Sequence, residues 1–279
     1  MTVTELRSGS TRTAGHTASP RRSSWSRYRL VFLRAGCLAF FLAVWEGSAR
    51  IIGAIDIPGS VETLSSFTTL IVSPDLWQAL WVSNIALAGG FVGAAVVGVL
   101  GGLLIGRFRN ADSFFRLWIS ILMITPMAML IPVIIMALGF GYTARTLVVF
   151  VFVLPMTLVN TKAGVRTIPN DLFDMCRCFG GSERQLWRKI ILPAAAPAIF
   201  TGLRIGMGRA VTGMIISEWL LAAVGLGSLL LQFRGAFDSG SMYALVLVIL
   251  VESLILIQVL RLVEHRVIGW TRRAVPGSK

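Results

Sequence analysis

Few side chains in this 279-residue sequence could do covalent or acid–base chemistry. The only histidines are His16 and His265, near opposite ends. Of the three cysteines, Cys37 stands alone and Cys176 and Cys178 form a C-x-C with no second Cys or His pair beside it to complete a zinc site. An odd number of cysteines at no framework spacing argues against a disulfide scaffold, so they read as small apolar fillers in a reducing compartment. There is no G-x-S-x-G nucleophile elbow and no H-E-x-x-H. An intramembrane protease or lipid phosphatase would need a nucleophile and a base close together, and the sequence offers no such pair. No phosphate-cradling G-x-x-x-x-G-K-[ST] occurs either. The sequence therefore predicts no catalytic residue, no metal ligands and no cofactor, and any ATP chemistry must come from another polypeptide.

What the chain does carry is charge inside apolar runs. Arg204, Arg209, Glu218 and Glu252 all fall within or at the ends of long uncharged stretches. An ionisable group in hydrocarbon is costly and needs a partner or water. Arg209, Glu218 and Glu252 are thus candidates for pathway or intramembrane-charge residues, with Arg209 expected to pair with Glu252 or Glu218. Arg204 is expected to snorkel to the cytoplasmic interface. For Glu252, a pathway role and a packing role remain equally open.

The elements that hold these groups follow from composition. Apolar residues make up 55% of the chain and charged residues 14%, with a mean hydropathy of +0.77. Soluble domains carry about 25% charged residues. Six apolar segments stand out, at about 31–54, 80–105, 117–138, 144–163, 194–224 and 242–263. A helix needs about 20 residues to cross the hydrocarbon core. Barrel strands would alternate polar and apolar residues, and Gly89 to Ile105 shows no alternation. In lipid, a continuous apolar run satisfies its own backbone only as a helix. The predicted fold is all-α, a polytopic membrane helix bundle with about six transmembrane helices over residues 31–279. Pro126 and Pro132 should bend the third span.

The net charge of +13 does not point to nucleic acid, because the basic residues sit in short segments between apolar runs rather than on one soluble face. Most of the 26 basic residues fall in one alternating set: residues before the first span, Arg107 to Arg116, Lys162 to Lys189, and the C-terminal tail. From Ile51 to Gly106 there is no Lys or Arg. The positive-inside rule places that set, and both termini, in the cytoplasm of a cell inner (plasma) membrane protein. Residues 1–30 read as a disordered, basic, Ser/Thr-rich cytoplasmic tail. Arg21-Arg22 before an apolar run resembles an export signal, but the run continues through Trp45-Glu46 without a small-residue cleavage site.

The most informative segment is the cytoplasmic loop 166–193. Leu172, Met175, Cys176 and Phe179 fall at helical spacing and form one apolar stripe. Asn170 can cap this short helix and Asp171 suits its first turn. Gly180-Gly181 can end it. Ser182 with Gln185 forms a capping box for a second helix, whose apolar side carries Leu186, Trp187, Ile190 and Ile191 and which Pro193 interrupts before the next span. The stripe could pack on its own spans, or present a knob to a groove on a partner.

This loop resembles the signature loop of ABC-importer permeases: an acidic-Ala-Ala triplet, three residues, Gly, nine residues, then Ile-x-Leu-Pro. Asp174 stands at the acidic position, Gly180 follows on register, and Ile190, Leu192 and Pro193 close the motif; Met175 and Cys176 replace the two alanines. Trp45-Glu46, Ser217-Glu218, Gly225-Leu226-Gly227 and Glu264-His265-Arg266-Val267 are similar to the nitrate/sulfonate/taurine branch. The resemblance implies a type I permease fold and a coupling loop docked on cytoplasmic ABC ATPase subunits. It also implies an external solute-binding protein, a second permease (a homodimer being the simplest case) and a small anion as solute. A stand-alone secondary transporter is the rival, though no inverted repeat with matching interrupted helices is visible. Gly98, Gly102 and Gly106, with Gly89/Gly93 and Gly202/Gly206, form small-residue stripes that let helices approach, either within one protomer or across a dimer.

Overall fold

The computed structural model describes residues 24–52, 57–221 and 224–268. Among these the chain is helical throughout, with no strand. The helices are α1 (Ser24–Ile52), α2 (Ser60–Val72), α3 (Pro74–Arg107), α4 (Arg109–Ile124), α5 (Leu130–Leu138) and α6 (Tyr142–Arg166). They continue as α7 (Asn170–Cys178), α8 (Glu183–Leu186), α9 (Leu192–Leu221), α10 (Gly225–Gly235) and α11 (Ser239–Val267). Five helical runs are long and apolar enough to cross a membrane: those of α1, α3, α6, α9 and α11. A sixth crossing exists if α4 and the bent segment after it are one broken span. Residues 1–23 of the expected tail, and 269–279 at the other end, lie outside the described residues. Helix α1 begins at Ser24, so residues 24–30 belong to a helix rather than to a disordered tail.

The third span bends, as its prolines imply, and does so sharply: it breaks after α4 and turns by 85° into Met127–Leu138. Pro126 explains the break. Its ring pushes the preceding Thr125 into extended backbone (φ −65°, ψ 124°), and it has no N–H to continue the ladder. Pro132 does not bend the chain. It sits in the first turn of α5, where backbone N–H groups have no helical acceptor anyway. The fourth span is longer than the apolar run suggests: α6 has 25 residues, because polar residues near its end bond locally or face neighbours. Asn160, for example, donates to the Met156 carbonyl at 2.8 Å.

Helix α6 lies between α3 and α9, and glycine makes both contacts possible. A Cβ on Gly98 would lie 2.9 Å from Thr157 Cβ. One on Gly102 would lie 2.6 Å from Thr161 Cβ and 2.7 Å from the Leu158 carbonyl, and one on Gly106 2.7 Å from Val165 Cβ. The Gly98–Gly102–Gly106 stripe therefore packs inside the protomer, against α6. On the other side, a Cβ on Gly202 would lie 2.8 Å from Asn160 Cβ. The buried core of Leu87, Ala94, Val149, Val153, Met207, Ala210 and Met214 fills the slab between these helices.

Polar clamps fix the rest. Buried Asp112 on α4 pairs with Lys162, with Arg166 at 2.6 Å on α6, and with Arg116 at 2.9 Å. Arg204 does not simply snorkel: it pairs with Glu264 and ties α9 to α11. The Trp45-Glu46 pair is a staple. Trp45 Nε1 donates to the Pro58 carbonyl at 3.0 Å, and Glu46 accepts from the Ser60 N–H and hydroxyl at 3.0 and 2.9 Å. It holds α1 to the start of α2, which in turn packs on α11.

Candidate functional site

The segment after α6 forms a bent pair of short helices. Pro169 occupies the cap position of α7, and its carbonyl accepts from Leu172 N–H at 3.2 Å. Asn170, expected as the cap, is the first helical residue instead, because proline's fixed φ (−60°) already suits the helix entry. Helix α7 ends in a Schellman turn: Gly181 N–H donates to Cys176 O at 2.8 Å and Gly180 N–H to Arg177 O at 2.9 Å. Gly180 adopts φ +70°, and a Cβ on Gly181 would meet Cys176 Sγ at 2.4 Å. Ser182 then caps α8 with the reciprocal box: its N–H donates to Gln185 Oε1 at 2.8 Å and its hydroxyl accepts from Gln185 N–H at 3.4 Å.

Pro193 does not interrupt the helix that follows. A π turn over Trp187–Ile191 joins α8 to α9, and the helical run is continuous from Glu183 to Leu220. Proline's missing N–H leaves the carbonyl one turn back without a donor. The chain responds by widening, so that Leu192 N–H bonds to Trp187 O five residues back.

The apolar stripe of α7 divides. Cys176 turns inward with Phe173, against a cluster of Leu103, Val165, Ile168, Leu186, Ile191, Ala195 and Ile199. Ile190 is half-buried against the same cluster. The Arg107 guanidinium, at the end of α3, stacks 5.1 Å from the Phe173 ring centroid and adds a cation–π contact. Leu172, Met175 and Phe179 point away, 36%, 50% and 84% exposed. Asp171, Asp174 and Leu192 are also exposed. Arg177 lies 4.0 Å from Asp174, a solvated pair of little energetic weight. The elbow is thus anchored on one side and has an apolar edge with no cover on the other.

The three intramembrane charges are not brought together as expected. Glu218 is buried at the end of α9, but its partner is Arg145 (3.3 Å), not Arg209. The Ser83 hydroxyl donates to its carboxylate at 2.7–2.8 Å, Gly227 N–H donates to it at 3.2 Å, and Leu226 N–H donates to Ser83 Oγ at 3.1 Å. Glu252 on α11 accepts from Asn84 Nδ2 at 2.5 Å. Arg209 is exposed and pairs with neither glutamate. The reason is rotational. Ala210 and Met214 are buried in the core, and Arg209 projects from an exposed side of α9 turned away from them.

Sequence reasoning missed Ser83, Asn84, Arg145 and Asp112. Neither Arg145 nor Asp112 stands out by its spacing in the sequence. An Asn or Ser within an otherwise apolar span, with a glutamate in another span, was the available signal for Ser83 and Asn84.

The family of binding-protein-dependent transport system inner membrane components matches residues 94–269. The chain belongs to this family. It is 31% identical over 203 residues to the nitrate import permease protein NrtB of Synechocystis sp., covering 69% of this chain and 73% of that one. It is 26% identical to SsuC of Bacillus subtilis, named for aliphatic sulfonates transport, covering 83% and 85%. It is also 27% identical to the riboflavin transport system permease protein RibX of Chloroflexus aurantiacus, covering 90% and 95%. Among solved structures, an inward-facing MetNI methionine ABC transporter chain aligns with TM-score 0.50 and 22% identity, covering 70% of this chain and 93% of that one. That likeness supports the type I permease fold. The protein is accordingly a multi-pass inner-membrane permease component of an ABC importer.

Proposed function

We propose that this permease moves a small anion, of the sulfonate, taurine or nitrate kind, and takes its energy from separate cytoplasmic ABC ATPase subunits that grip the α7 elbow. One observation carries the reading: Leu172, Met175 and Phe179 form an uncovered apolar edge on a helix whose other side is fixed into the bundle. An apolar helix edge of this kind suits a groove. Asp171, Asp174 and Gly180 shape the elbow, and Ile190, Leu192 and Pro193 form its base. The basic loops support a cytoplasmic location for the elbow and both termini. An external solute-binding protein delivers the solute, and two copies of the permease enclose the path. Nitrate and aliphatic sulfonate relatives favour an anion; the riboflavin relative is why the solute is proposed as a class.

The test is co-purification of co-expressed ABC ATPase subunits with the tagged permease. Met175→Asp with Phe179→Asp should abolish association while leaving the permease's elution profile unchanged. Solute uptake that persists without any ATPase would refute the reading in favour of a secondary carrier.

A further inference from the structure

One strip of α9 is left exposed among the described residues. Thr201, Ile205, Arg209 and Thr212 recur along it at three- and four-residue spacing, and all are exposed. The adjoining side, through Gly202, Gly206 and Gly213, is pressed against α6, so Arg209 stands at the border between the exposed strip and that contact. Arg209 is deep in this helix. At 1.5 Å per residue it lies about 26 Å from Leu192 and about 18 Å from Leu221. A guanidinium is a permanent charge in proteins. At that depth it needs water or an anion.

The chain's own carboxylates do not supply the anion. Glu218 is committed to Ser83, Gly227 and Arg145, Glu252 to Asn84, and Glu264 to Arg204. Arg209 has no ion pair or hydrogen bond with another described residue. Beside it, Gly208 faces open space, with nothing within 4 Å of where a side chain would begin. Thr212 lies three residues on, and its hydroxyl donates to the Gly208 carbonyl at 3.0 Å. The hydroxyl hydrogen is therefore taken, and the exposed strip offers an incoming ion a guanidinium fork and no other side-chain donor.

We propose that this strip of α9 lines an aqueous path and that Arg209 selects for charge within it, holding a small oxyanion such as a sulfonate in passing. The proposal rests on the reading above that the solute is an anion. The guanidinium matches planar or tripodal oxyanions through paired N–H donors, and it repels cations. A single fork with no second donor gives weak, readily reversed binding, as a conducting site requires.

The test uses the full chain in permeabilised membrane vesicles, with Cys37→Ser, Cys176→Ser and Cys178→Ser to remove the native thiols. Thr212→Cys then places one thiol a single helical turn from Arg209. Its modification rate is measured with anionic 2-sulfonatoethyl methanethiosulfonate and with the cationic trimethylammonium analogue, each normalised to the same reagent's rate with free 2-mercaptoethanol. The expected result is reaction with both, with the anionic reagent favoured about a hundredfold, since attraction of one and repulsion of the other each supply about tenfold for a unit charge about 6 Å away at an effective dielectric of about 40. Arg209→Gln should bring the ratio to about one, and Arg209→Lys should largely keep it. No reaction with either reagent, while a Phe179→Cys control on the elbow reacts, would mean that the strip is covered by lipid or protein and would overturn the proposal. A ratio unmoved by Arg209→Gln would overturn it equally. Neither result bears on ATPase docking, so failure here is distinct from failure of the importer reading.

Discussion

Replacing Gly225 by alanine puts a methyl group where the structure has no room and a backbone where alanine is strained. Gly225 adopts φ +75°, and a Cβ there would lie 2.5 Å from Glu218 Oε1 and 2.5 Å from Ser83 Oγ. Left-handed backbone costs a non-glycine residue about 1–2 kcal/mol. The larger effect falls on the network. Ser83 and Glu218 cannot both hold position, so at least one hydrogen bond to a buried carboxylate is lost, worth about 1.5–3 kcal/mol. The sum is about 2.5–5 kcal/mol, or a fall in Tm of about 5–20 °C at about 2–4 °C per kcal/mol for a chain of this size. The assay is thermal unfolding of the solubilised permease, followed by the fluorescence size-exclusion peak. Gly235→Ala is the control: a Cβ there meets nothing within 4 Å and its φ is not positive, so its Tm should stay within about 1 °C. Ser83→Ala with Gly225→Ala should cost less than the sum of the single changes, because both act on one network. A Gly225→Ala melt within about 2 °C of the parent would refute the argument that this loop is held by the buried carboxylate.

Other consequences can be checked in the same preparation. Asp112→Asn leaves Lys162 and Arg166 facing each other without their counter-charge, and should lower Tm by the equivalent of about 3–5 kcal/mol. Gly102→Val should disrupt folding, since its Cβ would sit 2.6 Å from Thr161 Cβ and 2.7 Å from the Leu158 carbonyl, whereas Gly47→Ala, open on all sides, should not. Phe173→Asp should lower both Tm and ATPase association, because Phe173 packs inward under Arg107, while Phe179→Asp should affect association alone.

The parts of the fold set by local chemistry were legible. The capping box at Ser182 and Gln185 forms as their three-residue spacing implies. Gly180 ends α7 with the positive φ expected of it. Long apolar runs became helices because lipid leaves the backbone no other solution. What was not legible depends on rotation and pairing. The spacing of Gly98, Gly102 and Gly106 shows that something approaches closely, but not that it is α6. Arg209 and Glu252 are both mid-span, yet a helix turned by one residue moves a side chain by 100°, and composition does not fix that angle. Arg145 stands near the start of α6 and its carboxylate, Glu218, is 73 residues away in sequence, so the pair was invisible in one dimension. Pro126 and Pro132 looked alike in sequence. Only the first follows a helix that it must end; the second falls in a first turn that tolerates it.

These contacts also indicate where the molecule is stiff. The inner side of α7 shares one apolar cluster with α3, α6 and the α8–α9 run, through Leu103, Val165, Leu186 and Ile191. Above that cluster, α3, α6 and α9 approach over glycines too closely to slide without clash. At the other end, Glu218, Ser83 and Arg145 join the same three helices again and add the start of α10. A displacement applied to α7 therefore meets one continuous slab, clamped at both ends. Helix α1 is held chiefly near its end by the Trp45-Glu46 staple, and the α4–α5 bend at Pro126 is a natural place for relative movement. A permease built this way would transmit motion by rocking the slab as a unit against those looser parts, rather than by bending its central helices. The strip carrying Arg209 lies on the slab, so such rocking would carry the charge with it.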